Sequence, residues 1–202
     1  AGLVTLAAPG AQIVPVRVLD VQGKGNVWVL AEALGWSVDP DGNPNTDDGA
    51  HVINLSLGTT QQTSVLRTAV ALADCDFNDD DDEFSDAGYD DDKARCANKF
   101  GAVVVAAAGN DGSETQLQFP AAEQALGSLA IGAHTQTNRL ADFSNRGSFV
   151  KFAAPGDAII STFPGGGYAT WSGTSMAAPL AAGTAALVLG ALPSPRGLLP
   201  LD

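Results

Sequence analysis

The sequence predicts an α/β fold in which a mostly parallel central sheet is covered by helices on both faces. Strand-like and helix-like segments alternate along the 202 residues, which is the order that right-handed strand–helix–strand crossovers produce. Residues 101–108 form a continuous apolar run, which is typical of a strand buried on both faces. With 45% hydrophobic residues, the chain is long enough to bury one substantial core.

Two strands and two helices are predicted in the first half of the chain. Residues 11–19 indicate a strand, and Pro15 within it indicates an edge or a bulge. A helix is expected to begin at Asn26, because the apolar residues after it recur with helical spacing. After a polar loop, residues 51–57 predict a second strand and residues 63–73 a second helix.

The second half continues beyond the apolar run with short strands and one long helix. Strands are expected near residues 128–133, 149–153 and 158–162. A run of small apolar residues predicts a final helix over about 174–189. The tail from residue 193 contains three prolines and predicts no regular element.

The net charge of −13 is concentrated in an acidic insert at about residues 74–99, which holds eleven acidic residues against three basic ones. Such a balance argues against nucleic acid or an anionic membrane as a partner. It suits a solvated surface in an extracellular medium. No apolar run of 18 residues occurs, so no transmembrane helix is expected. Because the chain opens at Ala1 without a methionine or a signal peptide, we expect a piece of a longer precursor.

Cys75 and Cys96 bracket the acidic insert. A disulfide between them would close a loop that cannot build its own core, with a stabilisation of about 3 kcal/mol in the loop-entropy model. Two free buried thiols are the alternative, and the disulfide is favoured if the protein is secreted.

Two polar residues are candidates for chemistry. Ser175 opens the last predicted helix, where free backbone N–H groups and the helix dipole would stabilise an oxyanion. Asn110 follows the buried apolar run, where its amide would donate a hydrogen bond to the same oxyanion. Judged alone, Ser175 is equally compatible with a helix cap, and an ordinary Asx turn is the favoured interpretation of Asn110.

The resemblance to a known family rests on five segments that stand in order along the chain. They are Val-Ile-Asn-Leu-Ser-Leu-Gly at 52–58, Val-Val-Val-Ala-Ala-Ala-Gly-Asn at 103–110, Asp-Phe-Ser-Asn at 142–145, Ala-Pro-Gly at 154–156, and Ser-Gly-Thr-Ser-Met-Ala-Ala-Pro at 172–179. The chain resembles the subtilisin-like (S8) serine peptidases from about Ile13 to Leu189. This resemblance implies the three-layer subtilisin-like fold, here N-terminally truncated.

The resemblance also implies roles for individual residues. Ser175 matches the family's nucleophile and Asn110 its oxyanion donor. One wall of the substrate cleft corresponds to Ser56, Leu57 and Gly58, and the other to Ala107, Ala108 and Gly109. A substrate backbone is expected to pair with these walls as an added strand.

The chain departs from the family pattern at the other two catalytic positions. It contains neither the Asp-Ser/Thr-Gly motif nor the His-Gly-Thr-His motif that carry the family's acid and base. His51 and His134 are expected at the surface or at strand edges. Residues 1–202 are therefore interpreted as a partial peptidase domain with little activity of its own. A sheet without its N-terminal elements is also expected to expose apolar faces and to aggregate.

The chemistry requires no cofactor, but structural calcium is an open question. Asp39, Asp41 and Asn43 alternate along one loop, and Asp74, Asp76 and Asn78 along another, as oxygen ligands do in calcium loops. Neither loop has the glycine at the sixth position or the glutamate at the twelfth, so a solvated acidic loop is the favoured interpretation of each and calcium is the alternative.

The leading interpretation is a secreted, monomeric serine endopeptidase that acts on protein or peptide substrates. Its histidine and aspartate are expected upstream of Ala1. One alternative is a peptide-binding pseudoenzyme that keeps the cleft without base and acid. The other alternative is an acidic, calcium-dependent surface domain.

Overall fold

The structure is a computed structural model, and it describes residues 1–43, 46, 48–75, 101–123 and 128–192. Its elements, in chain order, are α1 (Gly2–Ala7), α2 (Val27–Val38), β1 (Val52–Leu55), α3 (Ser64–Asp74), β2 (Val103–Ala107), β3 (Ser128–His134), β4 (Val150–Pro155), β5 (Ile159–Phe163), β6 (Gly167–Trp171) and α4 (Thr174–Ala191). From α2 to β2 helices and strands alternate, as the sequence predicts, whereas β3 follows β2 without a described helix between them.

Four strands form a parallel sheet in the order β1-β2-β3-β4. Strands β5 and β6 form a separate antiparallel hairpin, which leads directly into α4. Because the parallel strands all end at the same edge of the sheet, the segments after β1 and β2 meet there. This is the edge at which open α/β sheets place their binding sites.

Strand β2 lies inside the sheet and divides the core into two layers. Val104 and Ala106 belong to a cluster with the buried leucines and valine of α2 and α3. Val105 and Ala107 point to the opposite face, where they pack with small residues of α4. Helices therefore cover both faces, which confirms the predicted architecture and explains the uninterrupted apolar run of the buried strand.

Polar side chains cap the two helices that pack together on one face. The Asn26 side chain accepts a hydrogen bond from the Trp28 N–H at the start of α2. Thr63 does the same for the Leu66 N–H at the start of α3. Because these caps satisfy free N–H groups of the first turn, both helices begin within a residue or so of the predicted positions.

The predicted strand over residues 11–19 is wrong. This segment has no strand pairing beyond a single bridge between Leu19 and Gly25. Ile13, Val14 and Val16 are exposed. A β-strand exists only through hydrogen bonds to a neighbour, and β1, the edge strand, pairs only with β2 in the described part of the sheet. Two short elements, α1 and β6, were not predicted.

The acidic insert lies outside the described residues, as do Cys96 and the tail from residue 193. The two ends of the insert meet, since the Ala102 N–H donates to the Ala73 carbonyl at 2.7 Å. Cys75 ends α3 in a left-handed conformation and is disulfide-bonded. Its predicted pairing with Cys96 stays a prediction.

Helix α4 is the described helix whose length and composition would suffice to cross a membrane. One such helix is weak evidence, because the core helix of a globular domain passes the same test. In this chain, Ala177, Ala178 and Ala182 of α4 are buried against the sheet.

Candidate active site

Ser175 is the second residue of α4 and lies beside the segment that follows β1. Its Oγ donates a hydrogen bond of 3.4 Å to the Ser56 carbonyl, and its own carbonyl accepts one of 3.0 Å from the Ser56 Oγ. These residues are 119 positions apart in the sequence. The structure therefore brings the predicted nucleophile against the predicted cleft wall. Ser175 does not act as the helix cap, since the N-cap position belongs to Gly173.

The Asn110 amide is fixed by Thr174, the residue before Ser175. Its Oδ1 accepts hydrogen bonds from the Thr174 N–H at 2.8 Å and the Thr174 hydroxyl at 3.0 Å. The Thr174 Oγ1 in turn accepts from the Gly109 N–H at 3.1 Å. Because Thr174, the first residue of α4, binds the Asn110 oxygen, the Asn110 Nδ2 faces away from Thr174. Within the described residues, Nδ2 donates to no protein atom.

This geometry differs from an Asx turn. In such a turn the Asn110 oxygen would accept a hydrogen bond from the Gly112 N–H. Instead, the Gly112 N–H donates to the Phe143 carbonyl at 2.8 Å, and Asn110 caps a helix 64 residues away. The amide is exposed while its partner Thr174 is fully buried. The site thus holds an oriented, solvent-facing N–H donor beside a serine hydroxyl.

A glycine is required at position 109, between the end of β2 and Asn110, because its backbone adopts a φ of +106°. A side chain would also collide there, since a Cβ would meet the Asn145 amide and the Gln118 side chain. The preceding wall residues, Ala107 and Ala108, are buried at the end of β2.

Asn145 organises the loop that carries Asn110, a role that sequence reasoning did not identify. Its Nδ2 donates to the carbonyls of Ala108 and Gln116, and its Oδ1 accepts from the N–H groups of Asp111 and Ser113. The side chain is fully buried, and all four of these bonds lie between 3.0 and 3.1 Å. The only sequence signal is its place in the Asp-Phe-Ser-Asn segment, from which no contact follows.

A backbone bridge links the segment after the first predicted wall to the loop after the second. Thr59 follows the first wall and exchanges two backbone hydrogen bonds with Phe119, at 2.9 and 2.8 Å. Gln118 lies close to the Cα of both Gly58 and Gly109, and its amide donates to the Asp111 carboxylate at 3.3 Å. We call residues 118 and 119, which lie against these positions, the floor of the predicted cleft.

Both histidines lie in other surroundings, as the sequence predicts. His51 is exposed at the amino end of β1, the opposite end from Ser56. His134 ends β3, with its Nδ1 2.9 Å from the Thr135 carbonyl oxygen. Neither hydrogen-bonds to Ser175. Among the described residues, Ser175 thus has no imidazole partner.

One of the two acidic loops brings carboxylates together. Asp39, Asp41 and Asp48 each place a carboxylate oxygen within 4.8 Å of the others. Asp48 was not among the predicted ligands. Most of the second loop, including Asp76 and Asn78, lies outside the described residues.

The fold and site together define a class: a parallel α/β protein with a serine at a helix N-terminus beside a positioned asparagine amide. Comparison with known proteins names the family. The Peptidase S8 model, that of the subtilase family, matches residues 3–200, and the chain belongs to this family.

Relatives and a solved structure agree with this assignment. The chain is 41% identical to the "Thermophilic serine proteinase" of Bacillus sp. (strain AK1), covering 90% of this chain and 36% of that protein. It is 36% identical to "Subtilisin Savinase" of Lederbergia lenta, covering 93% and 56%. The crystal structure of a cold adapted subtilisin-like serine proteinase superposes with a TM-score of 0.69 at 31% identity, covering 96% and 58%. The chain thus has the subtilisin-like fold but spans only about a third to just over half of these proteins.

Proposed function

We propose that the protein to which this chain belongs is a serine endopeptidase with Ser175 as its nucleophile. The Ser175 Oγ attacks a peptide carbonyl, and the resulting oxyanion receives hydrogen bonds from the Asn110 Nδ2 and the Ser175 backbone N–H. The observation that carries the proposal is the fixed Asn110 amide, because Thr174 holds its oxygen and leaves Nδ2 to donate. A preoriented donor of this kind needs no reorganisation during the reaction.

The substrate would bind in the cleft between residues 56–58 and residues 107–109. Both segments lie at the carboxyl ends of neighbouring parallel strands, and the Thr59–Phe119 bridge links the segment after the first wall to the loop after the second. An extended peptide would pair with their backbones as an added strand, so affinity would come largely from main-chain hydrogen bonds. Proteins or peptides are therefore the proposed substrates.

The general base and its orienting acid are proposed to lie in sequence upstream of Ala1, and residues 1–202 form part of the peptidase domain. Two features support this. Ser175 Oγ donates to a backbone carbonyl rather than to a base. The outer edge of β1 is unpaired in the described structure, while residues 13–16 remain exposed and outside the sheet. Further strands are what such an edge accommodates.

The remaining assignments follow from the family and from charge. The acidic insert is proposed as a surface excursion closed by the Cys75–Cys96 disulfide, because its two ends meet at Ala73 and Ala102. Disulfide formation suits secretion, and one relative is named "Minor extracellular protease Epr" in Bacillus subtilis. We further propose an extracellular monomer without nucleic-acid or membrane partners.

Structural calcium at Asp39, Asp41 and Asp48 is proposed on their chemistry. Carboxylate oxygens are the ligands that calcium prefers, and these three lie within reach of one ion. If the ion binds, the Tm of the protein in a fivefold molar excess of calcium should exceed its Tm in a chelator. Asp41→Asn should abolish this difference. An equal Tm in both conditions would leave a solvated acidic loop as the explanation.

The nucleophile is tested by labelling the full-length protein with a serine-directed fluorophosphonate. Wild-type protein should be labelled and should cleave peptides, whereas Ser175→Ala should lose labelling and about 10⁶-fold in kcat. Ser148→Ala, at an exposed serine of the 147–149 loop, is the matched control and should keep both. Labelling that persists in Ser175→Ala would refute the assignment. Peptide binding without labelling of the wild type would identify a pseudoenzyme.

A further inference from the structure

Glu123 is a buried acid close to the cleft that the proposed mechanism does not use. Its side chain is 4% exposed. Oε2 accepts a hydrogen bond of 3.3 Å from the Gln62 Nε2, whereas Oε1 is buried and accepts no hydrogen bond from the described residues. Burial raises the pKa of Glu123, against the opposing effects of the Gln62 hydrogen bond and the positive charge of Arg67.

Glu123 ends the turn that closes the floor of the cleft. Within this turn the Ala122 N–H donates to the Gln118 carbonyl, and the Glu123 N–H donates to the Pro120 carbonyl, at 2.8 and 2.9 Å. Gln118, at the start of the same turn, lies between Gly58 and Gly109. A shift of Glu123 would therefore move a residue that separates the two walls.

Gln62 lies in the segment that follows the first predicted wall. It lies four residues after Gly58, immediately before the Thr63 that caps α3. The contact between Gln62 and Glu123 is thus a second link between the segments that follow the two walls, alongside the backbone exchange of Thr59 and Phe119. It is a link that depends on a titratable side chain.

We propose that Glu123 is a positioning residue for the substrate cleft, which holds the two walls together in its neutral form and loosens them when it ionises. This inference rests on the proposed peptide-binding function of the cleft. Its physical basis is that the buried Oε1 of Glu123 accepts no hydrogen bond from the described residues. A neutral carboxyl tolerates burial with a single hydrogen bond, whereas a carboxylate requires further donors or water. Ionisation therefore favours conformations in which the turn opens and admits water.

Few charged or hydrogen-bonding groups act on the Glu123 carboxyl in the described structure. Arg67 of α3 is the charged group that acts on it, and Gln62 is its hydrogen-bonding neighbour. Residues 118–122 of its own turn contain no titratable side chain, and residues 124–127 are Gln, Ala, Leu and Gly. The protonation state of Glu123 is therefore governed mainly by its burial.

The direction of the pH effect follows from linkage. Because the pKa of Glu123 is higher in the folded protein than the ordinary 4.5, its contribution is fully present below pH 4.5. The contribution is lost as the pH rises through the raised value. Peptide affinity should fall over the same interval.

The experiment measures the Kd of an uncleaved peptide on full-length protein carrying Ser175→Ala, between pH 4 and pH 9. Adding Glu123→Gln imitates the neutral acid, so affinity should become independent of pH over this interval and stay tight at high pH. Adding Gln62→Ala breaks the link while keeping the Glu123 carboxyl group and should weaken binding about fivefold at low pH. Glu32→Gln, on the exposed face of α2, is the control and should follow the parent.

The outcomes separate this inference from the proposed function. If Glu123→Gln leaves the pH profile of Kd unchanged, the inference is wrong, whether or not the active protein cleaves peptides. If the profile flattens but wild-type protein cleaves nothing, the inference holds and the endopeptidase proposal fails. Absence of peptide binding at every pH would overturn both.

Discussion

The two sides of the Ser175 site differ in how completely this chain builds them. On the proposed oxyanion side, Asn110 bonds to Thr174, and the buried side chains of Thr174 and Asn145 both bond to the backbone of residues 108–109. On the other side, β1 pairs only with β2 among the described residues, and residues 13–16 lie exposed. Under the proposed function, the described residues supply the oxyanion donors by themselves, whereas a base for Ser175 comes from outside them.

The largest expected effect on peptide hydrolysis comes from adding the sequence that would supply the base on the β1 side of Ser175. Extending the chain with its upstream sequence should raise peptide hydrolysis by about 10⁴-fold or more, because a base would then remove the Ser175 proton. The measurement compares kcat/KM of the 202-residue chain with that of the full-length protein. Equal rates would mean that the base lies within these residues and that our reading of His51 and His134 is wrong.

Size-exclusion chromatography provides a structural check on the same comparison. Exposed Val14, Val16 and Phe152 should make the 202-residue chain associate, while the full-length protein stays monomeric. A monomeric short chain with a sharp, reversible thermal transition would show that the open edge needs no cover.

A smaller effect on kcat is expected from removing the Asn110 amide, the proposed oxyanion donor. Asn110→Ala in the full-length protein should lower kcat by about 10²- to 10³-fold and leave KM nearly unchanged, because the lost hydrogen bond forms only with the oxyanion. Asn145→Ala should lower kcat as well, since it releases the loop that positions Asn110. The kcat of each variant is measured by steady-state kinetics.

The double variant distinguishes positioning from general structural support. If Asn145 acts through Asn110, then Asn110→Ala with Asn145→Ala should have the kcat of Asn110→Ala alone. Multiplicative losses would assign Asn145 a purely structural role. Asn138→Gly, at an exposed residue with a φ of +57°, is the control and should change neither constant.

The smallest expected effect concerns stability at the floor of the cleft. Glu123→Gln should stabilise the fold by about 1 kcal/mol at pH 8, where the wild-type carboxylate is buried with one oxygen unpaired. The gain should vanish near pH 4, because the wild-type acid is then neutral. Urea unfolding at both pH values measures this difference. A gain of equal size at pH 4 would contradict ionisation as the cause.

Elements with strong local signals were predictable from the sequence. The apolar run of β2, the capped starts of α2 and α3, and the small-residue stretch of α4 all follow from hydrophobic pattern and capping chemistry. Residues 11–19 carry an equally apolar pattern but form no strand. The difference is that strand formation requires a partner, which no local pattern supplies.

The sequence by itself determined the alternation of strands and helices, the order of the five family segments, and the candidates Ser175 and Asn110. These depend on residue type and spacing, which act over a few positions along the chain. Only the tertiary structure decided that Asn110 caps α4 through Thr174, that Asn145 fills the loop behind it, and that Glu123 is buried against Gln62. Such contacts join residues 29 to 64 positions apart, and packing rather than local propensity selects them.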